Sequence, residues 1–127
     1  MKVYDWNGKA ILIVDDNELN CHLLHRMIEP TGAKVIIAND GKPAIEECFN
    51  NLNISLVLMD IQMPEMDGYE ATRTIKSIRP EVPVIAQTAY FVKEEREKMK
   101  QAGCDEYISK PIRPKELLEL LNKYFRK

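Results

Sequence analysis

The 127-residue sequence has few of the features that mark secreted, membrane-spanning or nucleic-acid-binding proteins. Its three cysteines are far apart and form no CxxC pair, so neither a disulfide framework nor a zinc site is predicted. No apolar run approaches the roughly 20 residues that span a bilayer, and the N-terminus has no apolar stretch like that of a signal peptide. Eighteen basic and 20 acidic residues leave a net charge of -2, without the positive field that nucleic acid or an anionic membrane requires. We therefore expect a cytoplasmic protein with reduced thiols, no membrane insertion and no direct nucleic-acid contact.

The composition that remains is that of one globular domain. Hydrophobic residues make up 45% of the chain and charged residues 30%, which is enough apolar material for a single core. There is no internal repeat, linker or low-complexity tract. We expect a lead-in segment at residues 1–8 and one folded domain at residues 9–127.

Five short apolar runs alternate with amphipathic segments along the chain. Residues 10–14 and 56–59 are apolar without polar alternation, as in strands covered on both faces of a parallel sheet. Residues 35–38, 82–86 and 106–108 are the other predicted strands. The alternation predicts an α/β fold, a single doubly wound five-stranded parallel sheet with helices on both faces. The apolar faces of four helices are predicted as Leu19, Leu23, Leu24, Met27 and Ile28; Ala44, Ile45 and Phe49; Ala71, Ile75 and Ile78; and Leu117, Leu118, Leu121, Tyr124 and Phe125.

The remaining helix, predicted over residues 92–102 and ended by Gly103, is poor in apolar residues. Only Val92, Met99 and Ala102 can anchor it, and seven of its residues are charged. A helix with so few buried contacts has low local stability and can move on activation. A solvated surface helix with charge pairs accounts for the same residues, and both interpretations can hold together.

Polar residues follow the predicted strands at the edge where functional groups of such sheets collect. They are Asp15 and Asp16 after the first strand, Asp60 after the third, Thr88 after the fourth and Lys110 after the fifth. An aspartate before a helix caps free backbone N–H groups, which gives Asp16 an ordinary structural explanation. Asp60 lacks that explanation because a proline-containing loop follows it. A turn aspartate remains its ordinary interpretation, but this leaves the alignment of Asp60 with the other polar groups unexplained.

Three clustered carboxylates repel one another, and a hard divalent cation removes that conflict. Mg²⁺ prefers oxygen ligands, uses one or two carboxylates and retains waters together with a phosphate oxygen. The Lys110 ammonium and the Thr88 hydroxyl can contact phosphoryl oxygens. A carboxylate flanked by a metal ion and an ammonium is a suitable nucleophile toward phosphorus, giving an acyl phosphate.

Taken together, these pieces resemble the receiver domain of response regulators in two-component signalling, from Lys9 to Phe125. The matching motifs are residues 11–16, which end in Asp15-Asp16, residues 58–68, which contain Asp60, Pro64 and Gly68, and the pairs Thr88-Ala89 and Lys110-Pro111. The resemblance implies the flavodoxin-like strand order 2-1-3-4-5.

The resemblance also implies a magnesium site. Asp16 and Asp60 would bind Mg²⁺ through their carboxylates, Gln62 through its backbone carbonyl, and Asp15 through a metal-bound water.

By the same resemblance, Asp60 is the phosphoacceptor and Thr88 and Lys110 contact the phosphoryl oxygens. Lys110-Pro111 is then a cis peptide, which only the proline makes accessible. Tyr107 would turn inward when Thr88 moves toward the phosphoryl group, and this pair forms the implied switch. A tyrosine capping the strand edge, with its hydroxyl in water, explains the same residue.

The implied activity is that of a regulatory domain, not an enzyme acting on other substrates: it catalyses only its own phosphorylation and dephosphorylation. The implied donor is the phosphohistidine of a sensor histidine kinase, and a histidine phosphotransfer protein is a further implied partner, docking on the first helix. The sequence around Asn17 and Asn20 resembles that of receivers attached to hybrid sensor kinases, and so does the segment 108–112. We expect a monomer or a phosphorylation-promoted homodimer, with a partner reading the fourth helix, fifth strand and fifth helix.

Two other classes of function fit parts of the sequence. A magnesium-dependent phosphatase with an aspartyl nucleophile would carry a second aspartate two residues after Asp60, where this chain has Gln62. A constitutive binding module would bind its partner equally well with and without phosphorylation.

In the receiver interpretation, Gln62 and Tyr90 tune water access to the acyl phosphate. His22 and His25 are interpreted as ordinary surface or half-buried histidines.

Overall fold

Five strands and five helices alternate in a computed structural model that describes residues 4–61, 67–89 and 93–126. A short 3-10 turn, Glu29–Thr31, follows the first helix. Among the described residues, no helix has the length and apolar character needed to cross a membrane. The strands are β1 (Ala10–Val14), β2 (Lys34–Ala38), β3 (Ile54–Asp60), β4 (Val84–Thr88) and β5 (Glu106–Ser109). The helices are α1 (Glu18–Ile28), α2 (Gly41–Asn50), α3 (Gly68–Ile78), α4 (Lys93–Ala102) and α5 (Pro114–Phe125).

The strands form one parallel sheet in the order β2-β1-β3-β4-β5, which confirms the predicted fold class and order. Side chains of β1 and β3 alternate between two apolar cores, because successive residues point to opposite faces. One core contains buried residues of α1 and α5, and the other contains buried residues of α2 and α3. Both faces of the sheet are therefore covered, and its carboxyl edge is left for polar residues.

The predicted apolar face of α1 is partly wrong. Leu19 and Leu23 are exposed, at 66% and 45%, whereas Leu24 and Ile28 are buried. Cys21 is the third buried residue of the helix, at i−3 from Leu24 and i−7 from Ile28. The buried stripe is narrower than the predicted one because two successive leucines cannot both face the sheet.

A similar correction applies to α2, in which Phe49 is 68% exposed. The helix instead buries Gly41, Ala44 and Cys48, while Ile45 is half-buried. Cys48 therefore occupies the position against the sheet that the sequence pattern predicts for the Phe49 ring.

Strand β4 begins two residues later than predicted and includes Gln87 and Thr88. Pro83 lacks a backbone N–H, so residues 82–83 precede the ladder instead of joining it. Gln87 and Thr88 are buried within the sheet instead of lying beyond it.

Helix α4 has the thin anchorage that its sequence predicts. Among its described residues, Met99 and Ala102 are the buried ones. Gly103 follows with φ of 100°, a left-handed conformation that favours glycine at a helix end. Val92 lies outside the described residues.

Tyr4 and Trp6, in the predicted lead-in, pack against the core that contains residues of α1 and α5. The Trp6 ring is 4% exposed and belongs to the core beneath these helices. Its backbone N–H donates to the Thr31 carbonyl at 2.7 Å, and its ring meets that of Phe125 edge-on at 5.1 Å between centroids. The division of the chain at residue 8 stays a prediction.

Arg79, directly after α3, holds the end of α2 to the start of β3. Its guanidinium donates to the carbonyl oxygens of Cys48, Asn51, Leu52 and Ile54 at 3.1 to 3.3 Å. Helix ends leave such carbonyls without intrahelical partners, so one buried cation satisfies several of them together.

We predict that Arg79→Ala lowers the free energy of unfolding by about 2 to 4 kcal/mol, because it leaves several buried carbonyls unpaired. Arg73→Ala, at an exposed position of α3, is the matched control and is expected to change it by less than about 0.5 kcal/mol. Urea titration followed by the fluorescence of Trp6, the only tryptophan, measures both. Equal midpoints for the two variants would contradict the role assigned to Arg79.

Helix α4 is also joined to α3 by the Tyr69 hydroxyl, which donates a hydrogen bond to the Glu95 carboxylate. The Tyr69 ring packs beside Ile61 and Met99. Burial, and then this hydrogen bond, raise the pKa of Tyr69 well above its usual value. Because its pKa is raised in the folded state, protonated Tyr69 stabilises the fold. This stabilisation is complete below the unfolded-state pKa near 10 and is lost as pH rises through the folded-state pKa.

We predict that Glu95→Ala lowers the pKa of Tyr69, which still stays above its usual value because burial persists. A ¹³Cζ NMR titration of the tyrosines, assigned with Tyr69→Phe, measures this change. Glu94→Ala, at the exposed neighbouring position, is the control and should leave the Tyr69 pKa unchanged. An unchanged Tyr69 pKa in Glu95→Ala would show that the carboxylate has no influence on the hydroxyl.

Candidate functional site

The carboxyl edge of the sheet carries a polar row on its α1–α5 face. Asp60 ends β3 and is the register partner of Gln87 in β4. Asp15 follows Val14, whose partner is Met59, so Asp15 and Asp60 lie at the same level. Because side chains alternate along a strand, this polar row continues the apolar row two residues earlier. That apolar row consists of Ile13, Leu58 and Ile85.

Three carboxylates meet at this edge. Asp15, Asp16 and Asp60 each place an oxygen within 4.8 Å of the other two. Asp15 and Asp60 are buried, whereas Asp16 is exposed. Carboxylate oxygens at this spacing, with one side open to solvent, suit a hard cation such as Mg²⁺. Among the described residues, this is the group of acidic, histidine or cysteine side chains close enough to hold a metal ion.

The loop after β1 fixes Asp15 and leaves Asp16 at the edge. The Asn17 backbone N–H donates to Asp15 Oδ1 at 2.9 Å, and the Asn20 side-chain amide donates to Asp15 Oδ2. Asn17 caps α1 by accepting the Asn20 N–H at 2.9 Å. The capping role that we considered for Asp16 therefore belongs to Asn17, and capping does not account for Asp16.

Lys110 brings a positive charge to the two buried carboxylates. Its Nζ lies 3.5 Å from Asp60 Oδ1 and 3.8 Å from Asp15 Oδ2. Its backbone N–H donates to the Thr88 carbonyl at 2.8 Å, and the Lys110–Pro111 peptide is cis, as expected. Three carboxylates against one ammonium leave two net negative charges, which one divalent cation would balance.

Thr88 and Tyr107 lie on the opposite face from the polar row. Ala86 pairs with Tyr107 and Thr88 pairs with Ser109, so Thr88 and Tyr107 share one face of adjacent strands. Thr88 is buried, and Tyr107 is half-buried against a small cluster that contains Ala86 and Met99. The structure places both residues close to the end of β4, and the choice between a switch and a strand-edge tyrosine stays a prediction.

Gly68 allows the chain to return directly onto Asp60. A Cβ atom at this position would collide with the Asp60 carbonyl oxygen and lie 2.7 Å from the Cα of Ile61. The Gly68 N–H donates to the Ile61 carbonyl at 2.9 Å. The glycine of the sequence motif is therefore required by close backbone packing next to Asp60.

Three residues of the sequence-based site, Gln62, Pro64 and Tyr90, lie outside the described residues. The metal contact expected from Gln62 and the effect expected from Tyr90 on water access stay predictions.

Sequence reasoning assigned no site role to Asn20 or Gln87. The Asn20 side-chain amide, which contacts Asp15, also donates to Gln87 Oε1 at 3.0 Å. The available signal was a glutamine that directly follows the apolar residues 84–86 of a buried strand.

The cysteines and histidines agree with their plain interpretations. All three cysteines are free, and burial first of all raises the pKa of each thiol to about 11, so they stay neutral near pH 7. His25 lies 3.8 Å from Glu29 in the next turn of α1, and both side chains are substantially exposed.

Comparisons with known proteins agree with this geometry. Residues 11–122 match the model of the response regulator receiver domain family. The chain is 39% identical over 118 residues to the polar-differentiation response regulator DivK of Brucella ovis, covering 91% of this chain and 95% of DivK. It is 38% identical over 122 residues to hybrid signal transduction histidine kinase I of Dictyostelium discoideum, covering 90% of this chain but 7% of the kinase.

Solved structures show the same likeness. The receiver domain of a sensor histidine kinase from Pseudomonas aeruginosa has a magnesium ion coordinated in its active site cleft. It is 34% identical to this chain with a TM-score of 0.87, covering 94% of this chain and 99% of that one. A CheY-like receiver domain from Methanospirillum hungatei is 33% identical with a TM-score of 0.85, covering 91% of each chain. By its family match, identity to relatives and fold, this chain belongs to the response regulator receiver domain family of two-component signalling.

Proposed function

We propose that this receiver domain accepts a phosphoryl group on Asp60 from the phosphohistidine of a sensor histidine kinase, in a magnesium-dependent reaction. The observation that carries the proposal is the convergence of Asp15, Asp16, Asp60 and Lys110 at one edge of the sheet. An Asp60 carboxylate oxygen attacks phosphorus, an O–P bond forms, and the N–P bond to the imidazole breaks.

Asp16 and Asp60 would hold Mg²⁺ directly, and Asp15 would hold a metal-bound water. The backbone carbonyl of Gln62 completes the proposed protein ligands. When bound, Mg²⁺ neutralises charge on the transferring phosphoryl group. Lys110 Nζ, 3.5 Å from Asp60, would contact a phosphoryl oxygen, and Thr88 would donate its hydroxyl to another.

The proposed output is a change of shape around Thr88 and Tyr107. A phosphoryl group on Asp60 attracts the Thr88 hydroxyl, and Tyr107 turns toward the space that this movement opens. These residues share one face of β4 and β5, and α4 beside them has few buried anchors. A partner would then read the surface of α4, β5 and α5.

The proposed partners follow from the relatives. A hybrid histidine kinase contains a segment like this chain, and DivK is a response regulator that this chain nearly spans. We propose a sensor histidine kinase as donor and a histidine phosphotransfer protein as a further partner on α1. The domain would act as a monomer or as a phosphorylation-promoted homodimer.

We predict that the protein gains the mass of one phosphoryl group when incubated with Mg²⁺ and acetyl phosphate. Asp60→Asn should abolish the gain, because the amide is a poor nucleophile. Asp16→Asn should slow it at least about tenfold, because it removes a carboxylate from the cation site. Intact-protein mass spectrometry over time measures all three.

Asp5→Asn, at an exposed position outside the site, is the matched control and should gain mass like the unaltered chain. EDTA should stop the reaction. An equal gain in Asp60→Asn, or a gain insensitive to EDTA, would overturn the proposal. Rapid multiple turnover of small phosphate esters would instead support the phosphatase interpretation.

A further inference from the structure

One side-chain amide connects two strands that are not neighbours in the sheet. Asn20, in the first turn of α1, donates to Asp15 Oδ2 and to Gln87 Oε1. Asp15 follows β1 and Gln87 belongs to β4, and β3 with Asp60 lies between them. The amide therefore spans the phosphoacceptor strand from one side to the other.

Gln87 is an unusual residue for its position. It is 0% exposed, and its Nε2 has no hydrogen-bond partner among the residues that the structure describes. Burying an amide donor without a partner costs free energy, so an apolar side chain of similar size would serve the core better. The benefit of glutamine here lies in its oxygen, which accepts from Asn20.

The contact matters because Asp15 Oδ2 accepts a hydrogen bond from the Asn20 amide and also lies near the Lys110 ammonium. Lys110 Nζ lies 3.8 Å from that oxygen and 3.5 Å from Asp60 Oδ1. The Asn20 amide satisfies Asp15 Oδ2, which leaves Lys110 closer to Asp60. Without the amide, the fully buried Asp15 carboxylate would draw the ammonium toward itself and away from Asp60.

We infer that Asn20 and Gln87 are positioning residues of the magnesium site: Gln87 orients the Asn20 amide, and Asn20 fixes the Asp15 carboxylate for the cation. This inference rests on the proposed function and adds the residues that support Asp15, which would hold a metal-bound water. Outer hydrogen-bond partners of ligands commonly change metal affinity 10- to 100-fold.

The test is the affinity for Mg²⁺ alone, measured by isothermal titration calorimetry on the full chain without a phosphoryl donor. We expect Gln87→Leu and Asn20→Ala each to raise the Mg²⁺ dissociation constant roughly 5- to 20-fold. The double variant should bind no more weakly than the weaker single variant, because both residues act through one contact. Gln101→Leu, at an exposed position of α4, is the matched control.

Thermal unfolding separates positioning from a structural role. Gln87→Leu removes a buried unpaired donor, so its melting temperature should equal or exceed that of the unaltered chain while Mg²⁺ binding weakens. Asn20 is half-buried at the start of a helix, so Asn20→Ala provides a second folded variant. Additive effects in the double variant, or wild-type Mg²⁺ affinity in either single variant, would overturn the inference.

The same data distinguish this inference from the proposed function. If the unaltered chain binds Mg²⁺ and is phosphorylated on Asp60 while the variants bind Mg²⁺ equally well, only the positioning role fails. If the unaltered chain binds no Mg²⁺ and gains no phosphoryl group, both fail.

Discussion

The structure depends on holding two buried carboxylates, Asp15 and Asp60, beside each other at the edge of an apolar sheet. Like charges at this distance repel strongly where water is excluded, so the arrangement persists only with compensating groups. Lys110 supplies one positive charge, and backbone and amide donors solvate Asp15. The remaining negative charge, which includes that of exposed Asp16, suits the divalent cation that the proposed function requires.

Such a site needs a rigid frame, and the apolar strands provide it. Asp15 directly follows β1 and Asp60 ends β3, and the preceding side chains of both strands are buried under helices. The register of the sheet therefore sets the positions of both carboxylates. Gly68 adds a second constraint, because the chain packs directly on the Asp60 backbone. The hydrophobic core therefore sets the distances among the charged groups, and mutations far below the edge can shift the site through strand position.

Local sequence patterns predicted the strands and the acidic residues at their ends. They did not predict features that depend on contacts between distant parts of the chain. Apolar runs identified the strands, and the residues after them identified Asp15, Asp60 and Lys110, because parallel strands end at one edge. Periodicity alone could not tell that Cys21 faces the sheet while Leu19 does not, since both suit an amphipathic helix. The bridge from Asn20 to β4 joins positions 67 residues apart, and no local pattern encodes such a contact.

The helices differ in how many buried contacts hold them to the sheet, and this difference favours movement of one helix, α4. Helices α1 and α5 share a large core that also includes Trp6, whereas α4 rests on a small cluster containing Met99 and on the Tyr69–Glu95 contact. Opening free energy is lowest where few apolar contacts must be broken. A charge added at Asp60 would perturb both sides of the sheet edge, and among the described residues the α4 side has fewer buried contacts to break. We therefore place the proposed switch on the face of α4 and β5, while the opposite side would keep the proposed cation ligands in place.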